Sequence, residues 1–188
     1  MTKYILHGGY ATKRSTSNKK YYLEIVKGLE EPINVLVICF AAEKERWDEK
    51  FNKVKDHFSE IVNDKELEFI LANKNIELLS KQIQEADVIY MIGGRSLKLL
   101  KKLSAVPNLT QLWKNKVVVG SSAGALVLAK YYHGNDSNTY NEGLGIFPFK
   151  IICHYSKNID DRLEKLKQFG EDLEIKLIPE EKYIVIEK

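Results

Sequence analysis

Cysteine is scarce in this chain. Cys39 and Cys153 are the only two among 188 residues. Both stand within apolar runs, where a thiol serves as a small hydrophobe. Two such residues provide neither a disulfide framework nor a metal-ligand spacing, so a reducing, cytoplasmic setting is expected, with no metal and no cofactor. Proline is rare as well. Its four occurrences, at 32, 107, 148 and 179, each read as turn residues between periodic segments. No apolar run approaches the roughly 20 residues of a membrane helix. The opening MTKYILHGGY has too short an apolar stretch before its glycines to act as a secretory signal. An excess of either charge is missing too. With 29 basic and 26 acidic residues the net charge is +3, too balanced to argue for a nucleic-acid partner. The pairs Lys19-Lys20 and Lys101-Lys102 read as solvated helix faces. Repeats, low-complexity tracts and linker-like breaks are absent, so one domain over 1–188 is expected.

What remains is ordinary soluble composition, 44% apolar and 29% charged, arranged in strong periodicities. Short apolar runs of strand character end at His7, Phe40, Leu71, Ile92, Val119, Ile152 and Ile186. Between them lie helix patterns over 17–29, 44–62, 75–85, 96–104 and 158–169, with a further helix opening over 123–130. The clearest is 44–62, where Trp47, Phe51, Val54, Phe58 and Ile61 fall on one stripe. In the 158–169 pattern, Ile159, Leu163, Leu166 and Phe169 form the apolar face and Gly170 the stop. Alternating apolar strands and helices predict an α/β fold, a three-layer α/β/α sandwich on a mostly parallel central sheet. Ligands of such sheets bind outside the carboxyl ends of the strands. The turns there carry the interest.

Gly120-Ser121-Ser122-Ala123-Gly124 fits G-x-S-x-G between a strand and a helix, the context a nucleophile elbow requires. Small neighbours let the chain turn sharply and expose the Ser122 hydroxyl, while the helix start directs N–H groups at the same spot. A plain tight turn, or a phosphate-binding turn, has the same composition. A serine nucleophile needs a base. His57 reads as a surface or boundary residue of its helix. His133 reads as solvated in the YYHGNDSN loop. His7, beside Gly8-Gly9, stands where it could line a site. His154, at the end of a strand following the elbow, is the best placed. An orienting acid could be Asp136 or Glu142, both between Ser122 and His154. So little chain between nucleophile and histidine argues against an α/β-hydrolase. Gly93-Gly94 closes another strand, and with the Ala123 N–H it could complete an oxyanion hole. A simple glycine turn would look alike.

Together, VIYMIGGRSLKLLKKL, VVVGSSAGALVLAK and GLGIFPFKIICHYS, with a weaker match at VLVICFAAEKERWDE, resemble the dipeptidase E and cyanophycinase family of serine peptidases. That resemblance implies a class I glutamine amidotransferase-like fold. It implies Ser122 as nucleophile, His154 as base and Asp136, with Glu142 in reserve, as triad acid. Gly93, Gly94 and Ala123 become the oxyanion site, and Arg162 binds an acidic substrate side chain. Arg95 departs from the small polar residue usual after the two glycines and becomes a second anion contact or a cover over the oxyanion region. Pro179-Glu180-Glu181 matches the family's turn near the last sheet strands, with less chain following it than in longer members. The expected activity is hydrolysis of short peptides, with dipeptides bearing an N-terminal Asp as the implied substrates. Two rivals stand beside it: a binding or regulatory protein with a decayed site, and a serine esterase or amidase on non-peptide substrates. The expected partner is a small peptide, with no nucleic acid and no membrane; monomer and homodimer are both open.

Overall fold

The computed structural model describes residues 1–157 and 160–188. Five strands form the parallel part of a six-stranded sheet: β1 (Lys3–His7), β2 (Ile33–Ile38), β3 (Leu67–Leu71), β4 (Val88–Met91) and β5 (Val117–Ser121). The helices α1 (Thr16–Val26), α2 (Trp47–Ile61), α3 (Ile76–Glu85), α4 (Ser96–Ser104) and the single turn α5 (Leu109–Leu112) connect them. A 3-10 turn at Lys44–Arg46 leads into α2. After β5 come a one-turn helix α6 (Ala123–Leu126), then β6 (Ala129–Gly134), β7 (Thr139–Glu142), β8 (Phe147–Cys153), α7 (Asp160–Gln168), β9 (Ile175–Ile178) and β10 (Tyr183–Glu187). The main sheet has the order β10-β1-β5-β4-β2-β3, with β10 antiparallel on the β1 edge. A second, four-stranded sheet has the order β7-β6-β8-β9.

Register brings the strand ends together. His7 lies opposite Ser121, Met91 opposite Gly120, and Ile38 opposite Met91. The carboxyl ends of β1, β5, β4 and β2 therefore form one edge. Both faces of these strands are covered, which is why Val35–Ile38, Val88–Met91 and Val117–Val119 are uninterrupted apolar runs and fully buried. Tyr21 and Tyr22 of α1 and Phe58 of α2 pack against Tyr90 of β4; the Tyr22 and Tyr90 rings lie nearly parallel, 6° apart. Tyr4 of β1 stands edge-on to Phe147 of β8, with ring centroids 4.9 Å apart, and so ties the two sheets together.

The α/β architecture and its mostly parallel central sheet agree with the sequence reading. The segment after the elbow differs. The helix expected over 123–130 is one turn long, and the chain then enters β6 and the second sheet. Val127 and Leu128 already bond back to that turn, and the aromatic residues Tyr131 and Tyr132 pair with β7 and β8. His133, expected in a solvated loop, is buried in β6 between Asn135 and Asn138. His57 is buried as well, edge-on to Tyr22. Pro148 lies inside β8 rather than in a turn, where the β6–β8 register is irregular and a missing N–H is tolerated. Ile159 of the expected helix lies outside the described residues. No helix among the described residues is long and apolar enough to cross a membrane.

Candidate active site

Ser122 leaves β5 with φ 51° and ψ −110°, a left-handed backbone uncommon for any residue with a side chain. Packing imposes this turn. A Cβ on Gly120 would lie 2.4 Å from the Gly124 carbonyl, and one on Gly124 would lie 2.5 Å from the Met91 oxygen. Only glycine lets the elbow close on itself and on β4. The Ser122 N–H donates to the His7 carbonyl at 2.9 Å, which pins the elbow to the end of β1.

From the other sheet, β8 delivers His154 to the same edge. Its N–H donates to the Gly8 carbonyl at 2.9 Å, and its φ of 53° turns the ring inward. The imidazole Nε2 is 2.9 Å from Ser122 Oγ. On its other side Nδ1 is 3.0 Å from Glu180 Oε1. A carboxylate only accepts, so Nδ1 carries the proton and Nε2 offers its lone pair to the serine hydroxyl. Tyr10 stands edge-on to the ring at 5.6 Å, and Gly9 lies flat against it.

The carboxylate at the imidazole therefore differs from the expected one. Asp136 accepts from Ser96 Oγ at 3.1 Å, in the turn between β6 and β7. Glu142 ends β7 opposite Tyr131 and is exposed. The hairpin of β6 and β7 directs both away from His154. Glu180 arrives instead from the turn between β9 and β10. That turn is held by Gly8 N–H to the Lys182 carbonyl, by Glu181 N–H to the Gly9 carbonyl, and by the Lys13–Glu181 ion pair. Lys13 holds the Glu181 carboxyl below the usual range. The sequence signal for Glu180 was a carboxylate in a proline-initiated turn directly after a strand.

Gly93 faces the nucleophile; a Cβ there would lie 3.1 Å from Ser122 Cβ. Gly94, at φ +143°, would strike the Ala41 carbonyl with any side chain. The N–H groups of Gly93, Gly94 and Ala123 have no acceptor among the described residues. They remain free to meet a substrate oxygen. With α6 only four residues long, the macrodipole expected from a following helix shrinks to these individual donors.

A cavity of ≈ 340 Å³ opens over the pair, lined by Tyr10, Ala11, Thr12, Lys50, Lys53, Val54, Tyr90, Ile92, Gly93, Gly94, Ser121, Ser122 and His154. Its cations are Lys50 and Lys53 of α2. Arg162, expected there, is not among the lining residues, and its Nη1 donates to Asn135 Oδ1 at 2.8 Å. Arg95 pairs with Glu43 at 2.9 Å and lines a neighbouring cavity of ≈ 400 Å³ that shares Lys50, Gly93 and Gly94. It is absent from the lining over Ser122. Both thiols are buried, and burial pushes Cys39 up to about 12 and raises Cys153 too, which disfavours the thiolate. Among the described residues, no group of three or more His, Cys, Asp or Glu side chains is placed to hold a metal ion.

The model of peptidase family S51 matches residues 5–188. The chain belongs to that family. It is therefore a serine peptidase, a hydrolase. No curated protein matches it. Among solved structures, a candidate peptidase E from Listeria monocytogenes EGD-e is similar at TM-score 0.70 and 17% identity, over 99% of this chain and 94% of that one. A peptidase from an acI-B1 actinobacterium is similar at TM-score 0.72 and 20% identity, over 99% and 83%. At such identities these two structures speak for the shared fold.

Proposed function

We propose that this S51 peptidase hydrolyses short peptides through an acyl-enzyme on Ser122, with His154 as general base and acid and Glu180 as the orienting carboxylate. The continuous relay from Ser122 Oγ to His154 Nε2, and from Nδ1 to Glu180, carries the reading. The serine oxygen attacks the scissile carbonyl as its proton passes to Nε2. The negative charge on the tetrahedral oxygen meets the N–H groups of Ala123 and of Gly93 or Gly94. Nε2–H then protonates the leaving amine, and the C–N bond breaks. A water gives a proton to Nε2 as it attacks the acyl carbon; Nε2–H then returns that proton to Ser122 Oγ as the Oγ–acyl bond breaks, which releases the peptide acid and the free serine. Glu180 holds the Nδ1–H tautomer and stabilises the imidazolium.

The cavity wall supports a substrate class. Lys50 and Lys53 are one helical turn apart and both line the pocket, beside Tyr10, Val54, Tyr90 and Ile92, with Lys50 Nζ 3.8 Å from Glu49 Oε1. They suit a peptide with an acidic residue, such as a dipeptide with an N-terminal Asp. Here they take the part that Arg162 was expected to play.

A fluorophosphonate probe should label the wild type and leave Ser122→Ala unlabelled. Glu180→Gln should lose about 10⁴-fold in kcat, in line with triad acids elsewhere. Asp136→Ala and Glu142→Ala should stay near wild type. Lys50→Met and Lys53→Met should each raise KM for Asp-containing dipeptides by about tenfold, the equivalent of one charge-assisted contact, and leave neutral dipeptides unaffected. An unlabelled wild type, or a fully active Glu180→Gln, would overturn the relay. Equal cleavage of neutral and acidic dipeptides would overturn the substrate class alone.

A further inference from the structure

His7 is one of three buried histidines, with His57 and His133, that this mechanism does not use. It ends β1 directly beneath the relay and is fully enclosed, with Tyr21 packed on its ring at 4.4 Å. Its two nitrogens have different partners. The Gly9 N–H donates to Nδ1 at 3.1 Å, so Nδ1 has no proton. Nε2 therefore carries the hydrogen and donates to Asn18 Oδ1 at 2.9 Å. Asn18, in the first turn of α1, is itself fixed. Its Nδ2 donates to the Tyr10 carbonyl at 2.8 Å and the Lys13 carbonyl at 2.7 Å, which sets the orientation of its amide. The loop that runs from the end of β1 to α1 is thus anchored from below at Gly9, Tyr10 and Lys13.

That loop touches the relay at His154 and holds the backbone next to Glu180. Gly8 accepts from the His154 N–H, and Gly9 accepts from Glu181 N–H, beside Glu180. The His154 ring rests on Gly9 so closely that a Cβ there would lie 2.1 Å from Cε1. A backbone in such contact has no slack, and a displaced Gly9 moves the imidazole with it.

We infer that His7, braced by Asn18, is a positioning residue for the reaction: by accepting from the Gly9 N–H it sets the surface on which the His154 ring is held between Ser122 and Glu180. This rests on the reading of His154 as the base. Burial keeps His7 neutral, its pKa lowered to about 4, so that Nδ1 remains an acceptor at neutral pH. The role asks for an acceptor two bonds from Cβ and a donor three bonds from Cβ, and imidazole supplies both on one rigid plane.

Two polar substitutions separate these functions. In His7→Asn, the amide oxygen stands where Nδ1 stood and the contact to Asn18 is lost. In His7→Gln, the amide nitrogen stands where Nε2 stood and the acceptor for Gly9 is lost. His7→Gln should slow fluorophosphonate labelling and kcat by about 10²-fold at unchanged KM, the cost of a displacement near 1 Å. The downfield Nδ1 proton resonance of His154 should shift or vanish with it. His7→Asn should keep that resonance and label within about fivefold of wild type. Wild-type labelling by His7→Gln overturns the proposal. So does equal loss in both variants in proportion to lost thermal stability, which is what a merely structural residue would give. If His7→Gln does not fold, a folded His7→Asn decides: rescue supports the role, and a 10²-fold loss overturns it. Wild type and Ser122→Ala are labelled first. An unlabelled wild type would defeat the catalytic reading itself, whereas a labelled wild type with indifferent His7 variants defeats only the positioning role.

Discussion

Gly9 has no side chain, and the imidazole of His154 occupies the space one would take. Its φ of +123° would also strain any other residue. Gly9→Ala should therefore push the ring off the Ser122–Glu180 line and cost about 10²-fold in kcat. Folding, followed by circular dichroism, should survive, because the loop is at the edge of the sheet. His7 gives a second single-residue expectation, this one in stability. Burial is the main cause of its depressed pKa, about 4 when folded against 6.5 in the open chain; the neighbouring His154 lowers it further, and Asn18 and Glu181 raise it. Between those values the unfolded chain binds the extra proton. The neutral ring's contribution is thus present above pH 6.5 and lost as the pH falls toward 4, on the order of 3 kcal/mol in all. Urea midpoints of wild type should fall more steeply over that window than those of His7→Gln; parallel curves would refute it. Residues such as Ser122, Gly93 and Gly94 were legible in the sequence because their signal is local: small residues in a turn after an apolar run. Glu180 was not. Its approach to His154 depends on β9 joining β8 and β10 joining β1, and a Glu-Glu pair in a turn announces neither pairing.

Among the elements, the segment 127–153 was hardest to read. Its strands alternate with histidines, asparagines and glycines that also suit a loop, and only pairing among β6, β7 and β8 makes them a sheet. One buried charge shows how this sheet holds its helix. Lys150 of β8 is wholly enclosed, and its Nζ donates to the carbonyls of Leu166 at 2.9 Å and Lys167 at 2.7 Å. Those are last-turn oxygens of α7, where the helix itself runs out of donors; the Leu166 oxygen also accepts from the Phe169 N–H. Lys150→Met keeps most of the volume, removes the side-chain donor from both oxygens, and leaves the Leu166 oxygen with the Phe169 N–H at 3.2 Å. It should cost about 1–3 kcal/mol, read as a lower urea midpoint. Fast hydrogen exchange should appear in α7 and leave α2 unchanged. Uniform protection in α7 would show that the lysine is not its cap.

At the scale of the whole molecule, cohesion is mainly apolar, and many of the ion pairs lie on the outside. Arg14–Glu60, Arg46–Glu49 and Lys81–Glu85 all have both side chains more than half exposed. Such pairs contribute about 0–1 kcal/mol each and are screened by salt. The interior runs from Tyr21, Tyr22 and Tyr90 to Trp113, which is fully buried and edge-on to Tyr4, the residue that joins the two sheets through Phe147. Two perturbations should therefore behave oppositely. Raising sodium chloride to about 0.5 M should move the melting temperature by no more than about 2 °C, because only exposed pairs are screened. Trp113→Ala should cost about 3–5 kcal/mol through the cavity it leaves, which for a chain of this size lowers the melting temperature by roughly 10 °C. Trp113→Phe should cost less. It fills most of the space and removes an indole N–H that has no partner among the described residues. Should salt lower the melting temperature as far as Trp113→Ala does, the charged surface and not the aromatic interior would be what joins the relay's two sheets.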